Sequence, residues 1–371
     1  MKTCCRWIIV ILLFIISAVV TYSYDESDKN ILILNSYDSE NIWTKSQVKA
    51  VIDTLNESDV NYNLYVEYMD VKRFSEDTHL KQIFNYLYNK YLDQKIDYII
   101  ATDDSAFLFL NKNSSELFGD AKIVFSGLNY LYDMDRSRFT GVYENIDIKS
   151  NIEFAIKLFP KTQNVYILGE DQVTTRSIAL EINDYTSSGG YLNVEMILNN
   201  NVKFLKSQIE GFPENSIVFF TMFNMDDEGN RYSYESGFNK IMDNTEIPIF
   251  SFWSFYDELP IVGGYFSNAY LSGVDATLIL LQIADGKSTD SIKISESKKV
   301  YKLNSKTLQS FGLSNIKLDE TVEYTNKPIS FIGKYKNLLM ILILIVMLSS
   351  NIIILLYKNN FYSKENDRLV I

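Results

Sequence analysis

The sequence predicts an α/β protein in which two lobes of parallel β-sheet lie between two membrane segments. Three observations lead to this prediction. Short β-branched runs alternate with amphipathic helical patterns, the alternation restarts near residue 150, and an uncharged apolar stretch lies towards each end of the chain. Strands that alternate with helices of ten to fifteen residues are typical of βαβ units and parallel sheets. Two runs of about four strands each favour two lobes over one large sheet.

The first apolar stretch, residues 7–20, is interrupted by one serine, and two basic residues, Lys2 and Arg6, precede it. This pattern is typical of a signal peptide or of an uncleaved signal anchor, and both interpretations stay open. We assign residues 1–24 to this segment.

The second apolar stretch, residues 338–357, carries no charge and is interrupted by two serines and one asparagine. A helix of that length spans about 30 Å, which is the thickness of the hydrocarbon core. We predict a transmembrane helix over 337–357 and a short cytoplasmic tail over 358–371. Basic residues flank both apolar stretches, so the positive-inside rule predicts that residues 25–335 are extracytoplasmic.

The charge balance limits the partners of this outer part. The chain has 35 basic and 47 acidic residues and a net charge of −12. Six of the basic residues but only two of the acidic ones lie outside residues 25–335, so the outer part is more acidic still. Nucleic-acid binding needs a basic face and is not expected. Both cysteines, Cys4 and Cys5, precede the first apolar stretch, so the outer part forms no disulfide.

The first half of the outer part has hydrophobic periodicities that predict four strands and three helices. The strands are predicted over 30–34, 62–69, 97–101 and 122–126, and the helices over 44–57, 78–92 and 106–111.

The pattern then restarts with a helix. The second half predicts helices over 151–159, 174–187, 204–209 and 234–244, and strands over 164–168, 193–198, 216–221 and 247–252.

Residues that directly follow the strands are the candidate ligand contacts, because ligands of open parallel sheets bind outside the carboxyl ends of the strands. These residues are mostly hydroxyls, amides and carboxylates with a few aromatic rings, which suits a polar small molecule held between two lobes. Turns and helix N-caps also favour Ser, Asp and Asn, so the set carries more weight than any member. The set is Ser36, Tyr37, Asp103, Asp104, Ser105, Gly127, Asn129, Asp171, Thr174, Met222, Asn224, Asp226 and Trp253.

An ordered series of motifs adds a family resemblance. The series comprises ILILNSYDSENIWT, VEYMDVKR, DYIIATDDSAFLFL, ELFGDAKIVFSGLN, TGVYEN and FWSFYDELPIVGGYFSNAYLSGVDATLILLQIADGKS. Over residues 30–330 it resembles the ABC-transporter substrate-binding-like sensor domains that lie outside bacterial histidine kinases and diguanylate cyclases. The resemblance implies a type I periplasmic-binding-protein fold, with two Rossmann-like lobes joined by three crossings. It also implies a small ligand, with aromatic amino acids and related metabolites as precedents.

The resemblance also implies bounds for the lobes and residues for the site. The first lobe is expected at about 30–130 plus 262–286, and the second at about 140–252 plus 287–330. The predicted ligand contacts are Ser36, Tyr37, Trp43, Asp104, Ser105, Asn129, Asp171, Thr174, Asn224, Asp226, Trp253 and Tyr256. Two segments depart from the family pattern, Asp38-Ser39-Glu40 and QVTTRS, and both leave the type of ligand open.

Membrane-bound members of this family continue from the second membrane helix into a cytoplasmic output domain, whereas residues 358–371 are too short to hold one. The expectation is a membrane-tethered sensor that closes on its ligand and signals through a partner such as a kinase. The alternatives are the binding component of an ABC transporter with a separate permease, and the remnant of a longer sensor. A homodimer is a further possibility.

Catalysis is not expected from the residue inventory. The single histidine, His79, begins an amphipathic helix, so it is expected to be an exposed first-turn residue. The acidic pairs at 103–104 and 226–227 lack the spacing of a calcium loop. No GxxxxGK[ST] or GxGxxG motif is present. We therefore expect no enzyme activity, no cofactor and no metal.

Overall fold

The computed structural model describes residues 28–369 except 75, 188–191, 244, 315, 317, 319–320 and 329–330. The predicted N-terminal segment, with Cys4 and Cys5, lies outside the described residues. The chain divides into two compact units between Thr325 and Asn326.

The larger unit contains thirteen strands within the described residues. They are β1 (Lys29–Asn35), β2 (Tyr62–Tyr68), β3 (Tyr98–Thr102), β4 (Lys122–Leu128), β5 (Phe139–Tyr143), β6 (Asn164–Gly169), β7 (Asn193–Leu198), β8 (Ser216–Phe220), β9 (Ile249–Ser251), β10 (Gly263–Ser267), β11 (Ser295–Glu296), β12 (Lys299–Asn304) and β13 (Val322–Thr325).

The helices follow the strands in βαβ order. They are α1 (Ile42–Asn56), α2 (Asp77–Tyr91), α3 (Asp103–Phe118), α4 (Ile148–Leu158), α5 (Val173–Ser187), α6 (Val202–Glu210), α7 (Tyr234–Met242), α8 (Ala269–Ala284), α9 (Ser305–Ser310) and α10 (Phe331–Leu369), with 3₁₀ turns at Ser254–Tyr256 and Thr289–Ser291.

Two sheets form the two lobes, and both repeat the same strand order. The first sheet runs β2-β1-β3-β4-β5-β11 and is parallel throughout. The second runs β7-β6-β8-β9-β10-β12-β13 and is parallel except where β12 pairs with β10. In each sheet the strand order reverses between the first and third strands, at β1/β3 and at β6/β8. A ligand crevice is expected at such a switch point.

Buried side chains on both faces explain why β1 is central. Ile31 and Ile33 pack on the side of α1 and α8, whereas Leu32 and Leu34 pack on the side of α2 and α3. A parallel strand covered on both faces reads as a continuous apolar run, which is why this strand is visible in the sequence. Gly273 lets α8 approach α1 closely, because a Cβ there would lie 2.8 Å from the Cβ of Ala50.

The chain passes between the sheets three times: after β5, after β10 and after β11. The sheets hold six and seven strands instead of about four each. The strands of the two sheets differ from the predicted lobe bounds at three places. Residues 295–296 belong to the first sheet, although we placed 287–330 in the second lobe. Residues 139–143 belong to the first sheet, although we placed residues from 140 in the second lobe, and residues 263–267 belong to the second sheet, although we placed 262–286 in the first.

Helix α3 is longer than predicted, because it begins at Asp103 and ends at Phe118 instead of spanning 106–111. Asp103, Asp104 and Ser105 therefore form its first turn rather than a loop. The chain turns from strand into helix at Asp103, whose φ of 64° lies in the left-handed region. Non-glycine residues seldom adopt this conformation, although Asp does so more readily than most.

The smaller unit contains helix α10. Its residues Gly333–Asn359 are long and apolar enough to cross a membrane, and they include the predicted 337–357. The hydroxyls of Ser349 and Ser350 donate to the carbonyls of Ile345 and Val346, so these polar groups are satisfied within the helix.

Candidate ligand-binding site between the lobes

A small cavity lies where the carboxyl ends of the strands of the two lobes face each other. We call it the inner chamber. Its volume is about 40 Å³, which holds about three water molecules at roughly 10–15 Å³ each. It is lined by Tyr37, Trp43, Lys72, Asp103, Asn129, Glu144, Thr174, Met222, Tyr234, Trp253 and Phe255.

A second cavity opens beside the inner chamber, and we call it the outer groove. Its volume is about 710 Å³, and it shares Trp43, Lys72, Tyr234 and Phe255 with the inner chamber. These four side chains line both spaces, so the two cavities adjoin.

Asp103 places a carboxylate with an unused oxygen in the chamber. Its side chain follows β3, and the residue is only 3% exposed. The indole Nε1 of Trp43 donates to Oδ1 at 3.0 Å, whereas Oδ2 is buried and has no hydrogen-bond partner. Burial raises the pKa of Asp103 well above its ordinary value, and the nearby carboxylates of Glu144 and Asp104 raise it further.

The backbone of Gly127 gives the Asp103 side chain its space. A Cβ at Gly127 would lie 3.0 Å from Oδ1 of Asp103 and 3.1 Å from Nε2 of Gln47, and its φ of +77° is also unfavourable for other residues.

Glu144 supplies a second buried carboxylate at the first crossing between the lobes. The indole Nε1 of Trp253 donates to its Oε1 at 2.6 Å, and the side chain of Ser267 also hydrogen-bonds to it. Burial raises the pKa of Glu144 to about 7 although these hydrogen bonds oppose the rise. Both donors are neutral, and the positive charge that acts on Glu144, that of Lys299, lowers its pKa through its field and not through a hydrogen bond.

Aromatic rings cover the rest of the chamber. Phe255 packs edge-on to Trp43 with ring centroids 6.1 Å apart, stacks on Trp253 at 6.0 Å and contacts Tyr234 at 4.1 Å. The Trp43 ring comes from the first lobe and the others from the second, so these contacts join the lobes. An aromatic cluster therefore spans the two lobes at the chamber.

Lys72 lies at the boundary between the chamber and the outer groove. Its ammonium is 4.3 Å from the ring centroid of Tyr37 and donates to the hydroxyl of Tyr234 at 2.9 Å. The Arg231 guanidinium donates to the Lys72 carbonyl at 3.1 Å. Both hydrogen bonds cross from one lobe to the other, and the Lys72 side chain stays exposed on the groove side.

Five of the predicted ligand contacts line the inner chamber: Tyr37, Trp43, Asn129, Thr174 and Trp253. Two more support its wall. The hydroxyl of Ser36 donates to the Thr102 carbonyl and accepts from the amide of Ala106, so it joins β1 to α3. The carboxylate of Asp104 accepts from the side-chain amide of Asn129 at 2.5 Å.

The other five predicted contacts lie outside the chamber. Asn224 lines the outer groove, and Ser105 lies in a separate groove between α2 and α3. Asp171 is exposed and pairs with Arg176. Asp226 organises its own turn by accepting from Asn230 and Tyr232, and Tyr256 is fully buried in the second-lobe core. Ser105, Asp171, Asp226 and Tyr256 therefore do not line the inner chamber, because packing or local hydrogen bonds determine their positions.

Six lining residues were not predicted as ligand contacts. Asp103 and Met222 were in the broader strand-end set, and Glu144 directly follows β5 within the motif TGVYEN, so a strand assignment there would have found it. Lys72 follows β2 by four residues. Tyr234 and Phe255 follow no strand directly, and only the tertiary structure brings them here.

Comparison with known proteins gives the fold class. No protein-family model and no curated protein matches the sequence. Solved structures do match. A ligand-free, open substrate-binding protein with adhesive properties from Clostridium difficile has a TM-score of 0.60 at 14% identity, over 81% of this chain and 100% of that one.

Two further structures agree. An ABC domain in complex with L-Trp from Streptococcus pneumonia has a TM-score of 0.56 at 14% identity, over 77% of this chain and 95% of that one. A LacI family transcriptional regulator from Arthrobacter in complex with lactose has a TM-score of 0.51 at 11% identity, over 74% of this chain and 97% of that one. The protein is thus an α/β protein with the type I periplasmic-binding-protein fold. This confirms the predicted fold, and these solved structures are of binding proteins and a regulator.

Proposed function

We propose that this protein is a membrane-tethered, extracytoplasmic binding protein that closes on a small polar or aromatic molecule such as an amino acid. The observation that carries the proposal is the inner chamber. It lies at the switch points of both sheets, and it buries one carboxylate oxygen that has no partner in the protein.

The physical argument rests on the free-energy cost of burying Oδ2 of Asp103 without a hydrogen-bond partner. Leaving a buried polar group without a partner costs about 1–3 kcal/mol, and more when the group is charged. Folded proteins satisfy nearly all such groups, so an exception inside a cavity is expected to find its partner in a ligand. The aromatic rings that surround it supply apolar contact area for the remainder of the ligand.

The tether is supported by helix α10. Its stretch Gly333–Asn359 has the length and the composition of a membrane span, and lysine and arginine residues follow it in the sequence. By the positive-inside rule those residues are cytoplasmic, and the two-lobed unit is then outside.

The output is proposed to pass through a partner. Closure of the lobes on a ligand changes the positions of the chain ends, and a partner kinase would sense that change. The alternative is a binding component that delivers its ligand to a separate ABC permease, and the similarity to a substrate-binding protein gives this alternative weight. A neighbouring permease gene would favour delivery, and a neighbouring kinase gene would favour sensing. A remnant of a longer sensor would have neither, and a homodimer is compatible with all three.

An enzyme is not proposed. Among the described residues no group of three or more His, Cys, Asp and Glu side chains could hold a metal. Nε2 of His79 lies 2.7 Å from the carbonyl of Met69, so the single histidine serves the contact between α2 and the end of β2.

The proposal is tested by the thermal melting of the full-length chain in detergent with a library of amino acids, peptides, purines and sugars. A ligand that binds the folded state raises the melting temperature in a concentration-dependent way. A library without any stabilising compound would contradict the proposal. Trp253→Ala should abolish the shift, whereas Phe204→Ala, which removes an exposed ring of the second lobe, should leave it unchanged.

A further inference from the structure

We propose that the inner chamber recognises an organic ammonium group, and that a carboxylate on the same ligand is dispensable. The inference rests on the proposed function, because it names the class of ligand that this site binds. It follows from three observations: the balance of charge in the chamber, its aromatic lining and the four side chains that it shares with the outer groove.

The side chains that line the inner chamber include two carboxylates and one ammonium, so a second cation would balance their charges. Asp103 and Glu144 line the chamber, and no lysine or arginine nitrogen in the described part of the chain lies within 4 Å of either carboxylate. The one basic side chain of the lining, Lys72, donates to Tyr234 and lies over the ring of Tyr37. Lys72 acts on Asp103 and Lys299 on Glu144 only through their fields, so neither buried carboxylate has a hydrogen-bonded cation as its partner.

The unused acceptor belongs to a side chain that lines the cavity. Trp43 holds the Asp103 side chain through Oδ1, and the backbone of Asp103 is left-handed, with a φ of 64°. Strain of this kind costs about 1–3 kcal/mol and persists where the surrounding structure enforces it, most often at binding sites. An ammonium group donates up to three hydrogen bonds and carries the charge that Oδ2 lacks.

The rings distinguish an organic cation from a metal ion. Trp43, Trp253 and Phe255 present apolar surface to the chamber, and cations over indole or phenyl rings are attracted by the ring quadrupole. Hard metal ions take six or more oxygen ligands. Only two carboxylates line this chamber, and the described chain has no larger cluster of metal-binding side chains.

The size of the cavities sets the position of the ligand. About 40 Å³ holds an ammonium group with its first carbon atoms but not an aromatic ring. The outer groove, at about 710 Å³, begins at Trp43 and Phe255 and has room for the rest of the molecule. The ligand is therefore a primary or substituted amine whose apolar tail passes between these rings into the groove.

A matched series of phenyl compounds tests the inference. Phenethylamine carries the amine alone, 3-phenylpropionate the carboxylate alone, and phenylalanine both. Binding to the full-length chain is followed by intrinsic tryptophan fluorescence, since two of its three tryptophans, Trp43 and Trp253, line the chamber. Tryptamine, tyramine and calcium ions are added to a parallel melting experiment.

We expect phenethylamine and phenylalanine to bind with dissociation constants within about 10-fold of each other, and 3-phenylpropionate not to bind. Asp103→Asn should weaken phenethylamine at least about 30-fold, because it removes the charge that pairs with a buried cation. Asparagine tolerates the left-handed backbone, so the variant should fold. Glu144→Gln should weaken phenethylamine less, and Asp171→Asn, an exposed carboxylate of the second lobe, should not change it.

The outcomes separate this inference from the function on which it rests. Binding of 3-phenylpropionate, of a neutral sugar or of calcium ions without binding of any amine would overturn the inference and leave the binding function standing. Equal binding of phenethylamine by Asp103→Asn and the parent would also overturn it. If no amine and no member of the wider library binds, both fail.

Discussion

The two walls of the inner chamber differ in chemistry. The wall from the first lobe and the first crossing contains every carboxylate and ammonium of the lining, in Lys72, Asp103 and Glu144. The wall from the second lobe contains only neutral side chains. Its members are Thr174, Met222, Tyr234, Trp253 and Phe255.

The second lobe also has a buried carboxylate, and this one has the hydrogen-bond donors that Oδ2 of Asp103 in the first lobe lacks. Glu170 is 3% exposed, like Asp103, but its Oε2 accepts from the backbone amides of Asn224 and Met225 at 2.8 Å each. Its charge therefore serves the fold of the loop after β8. We propose from this comparison that the first lobe recognises the charge of a ligand and that the second lobe covers the ligand and excludes water.

The largest effect is expected from a substitution in the wall that the second lobe contributes to the inner chamber. Trp253→Ala removes a buried ring and the donor to Glu144, so we expect a loss of about 3–5 kcal/mol in the free energy of unfolding and no detectable ligand binding. Chemical denaturation of the full-length chain measures the first and thermal shift the second. A variant of near-parental stability would show that the second-lobe wall does not pack as described.

The next effect tests the charged wall through pH. The pKa of Glu144 is raised from an ordinary 4.5 to about 7, so the folded state favours the protonated form. Its contribution to stability is then full below about pH 4.5 and is lost as the pH rises through 7, by about 3 kcal/mol in total.

Glu144→Gln is the variant that isolates this effect. It should flatten the fall in stability between pH 4.5 and pH 7, whereas Asp171→Asn should keep it. The charged groups whose fields act on Glu144 are Asp103, Asp104 and Lys299, and they are unchanged in both variants. An unchanged pH profile in Glu144→Gln would contradict the assignment of a perturbed carboxyl to this wall.

The smallest effect is expected where the two walls join. Lys72→Met keeps the apolar stem but removes the hydrogen bond to Tyr234 and the cation over Tyr37, so we expect a loss of about 1 kcal/mol of stability in the closed form. Small-angle scattering should then show a larger average radius of gyration without ligand. Lys49→Met, which removes an exposed ion pair with Asp53 on α1, is the control and should leave the radius unchanged.

The sequence predicts the central strands well because strands that are buried on both faces have continuous apolar sequences, as in β1 and β3. Five strands were not predicted, and for two of them, β5 and β10, the structure gives a physical reason. A Cβ at Gly141 in β5 would lie 2.1 Å from the Phe125 carbonyl, and one at Gly263 in β10 would lie 2.1 Å from the Lys302 carbonyl. Close strand contact requires glycine at both places, and glycine lowers the strand signal in the sequence.

The sequence could point only to those site residues that directly follow strands, because the rule used to choose them concerns the carboxyl ends of strands. Tyr37, Asn129 and Trp253 lie one or two residues after a strand, and the sequence analysis places them among the ligand contacts that line the chamber. Lys72 and Phe255 lie four residues after a strand, beyond the positions that the rule singles out. The unused oxygen of Asp103 is a property of packing, since it depends on Trp43 and on the glycine at 127.

The central claim is that a small molecule binds between the walls and that the charged wall recognises it. Native mass spectrometry of the full-length protein, purified without denaturation and presented with phenethylamine, tests this directly. We predict a one-to-one adduct in the parent and in Asp171→Asn, and its loss in Asp103→Asn. An adduct of equal occupancy in all three proteins, or in none of them, would contradict the account.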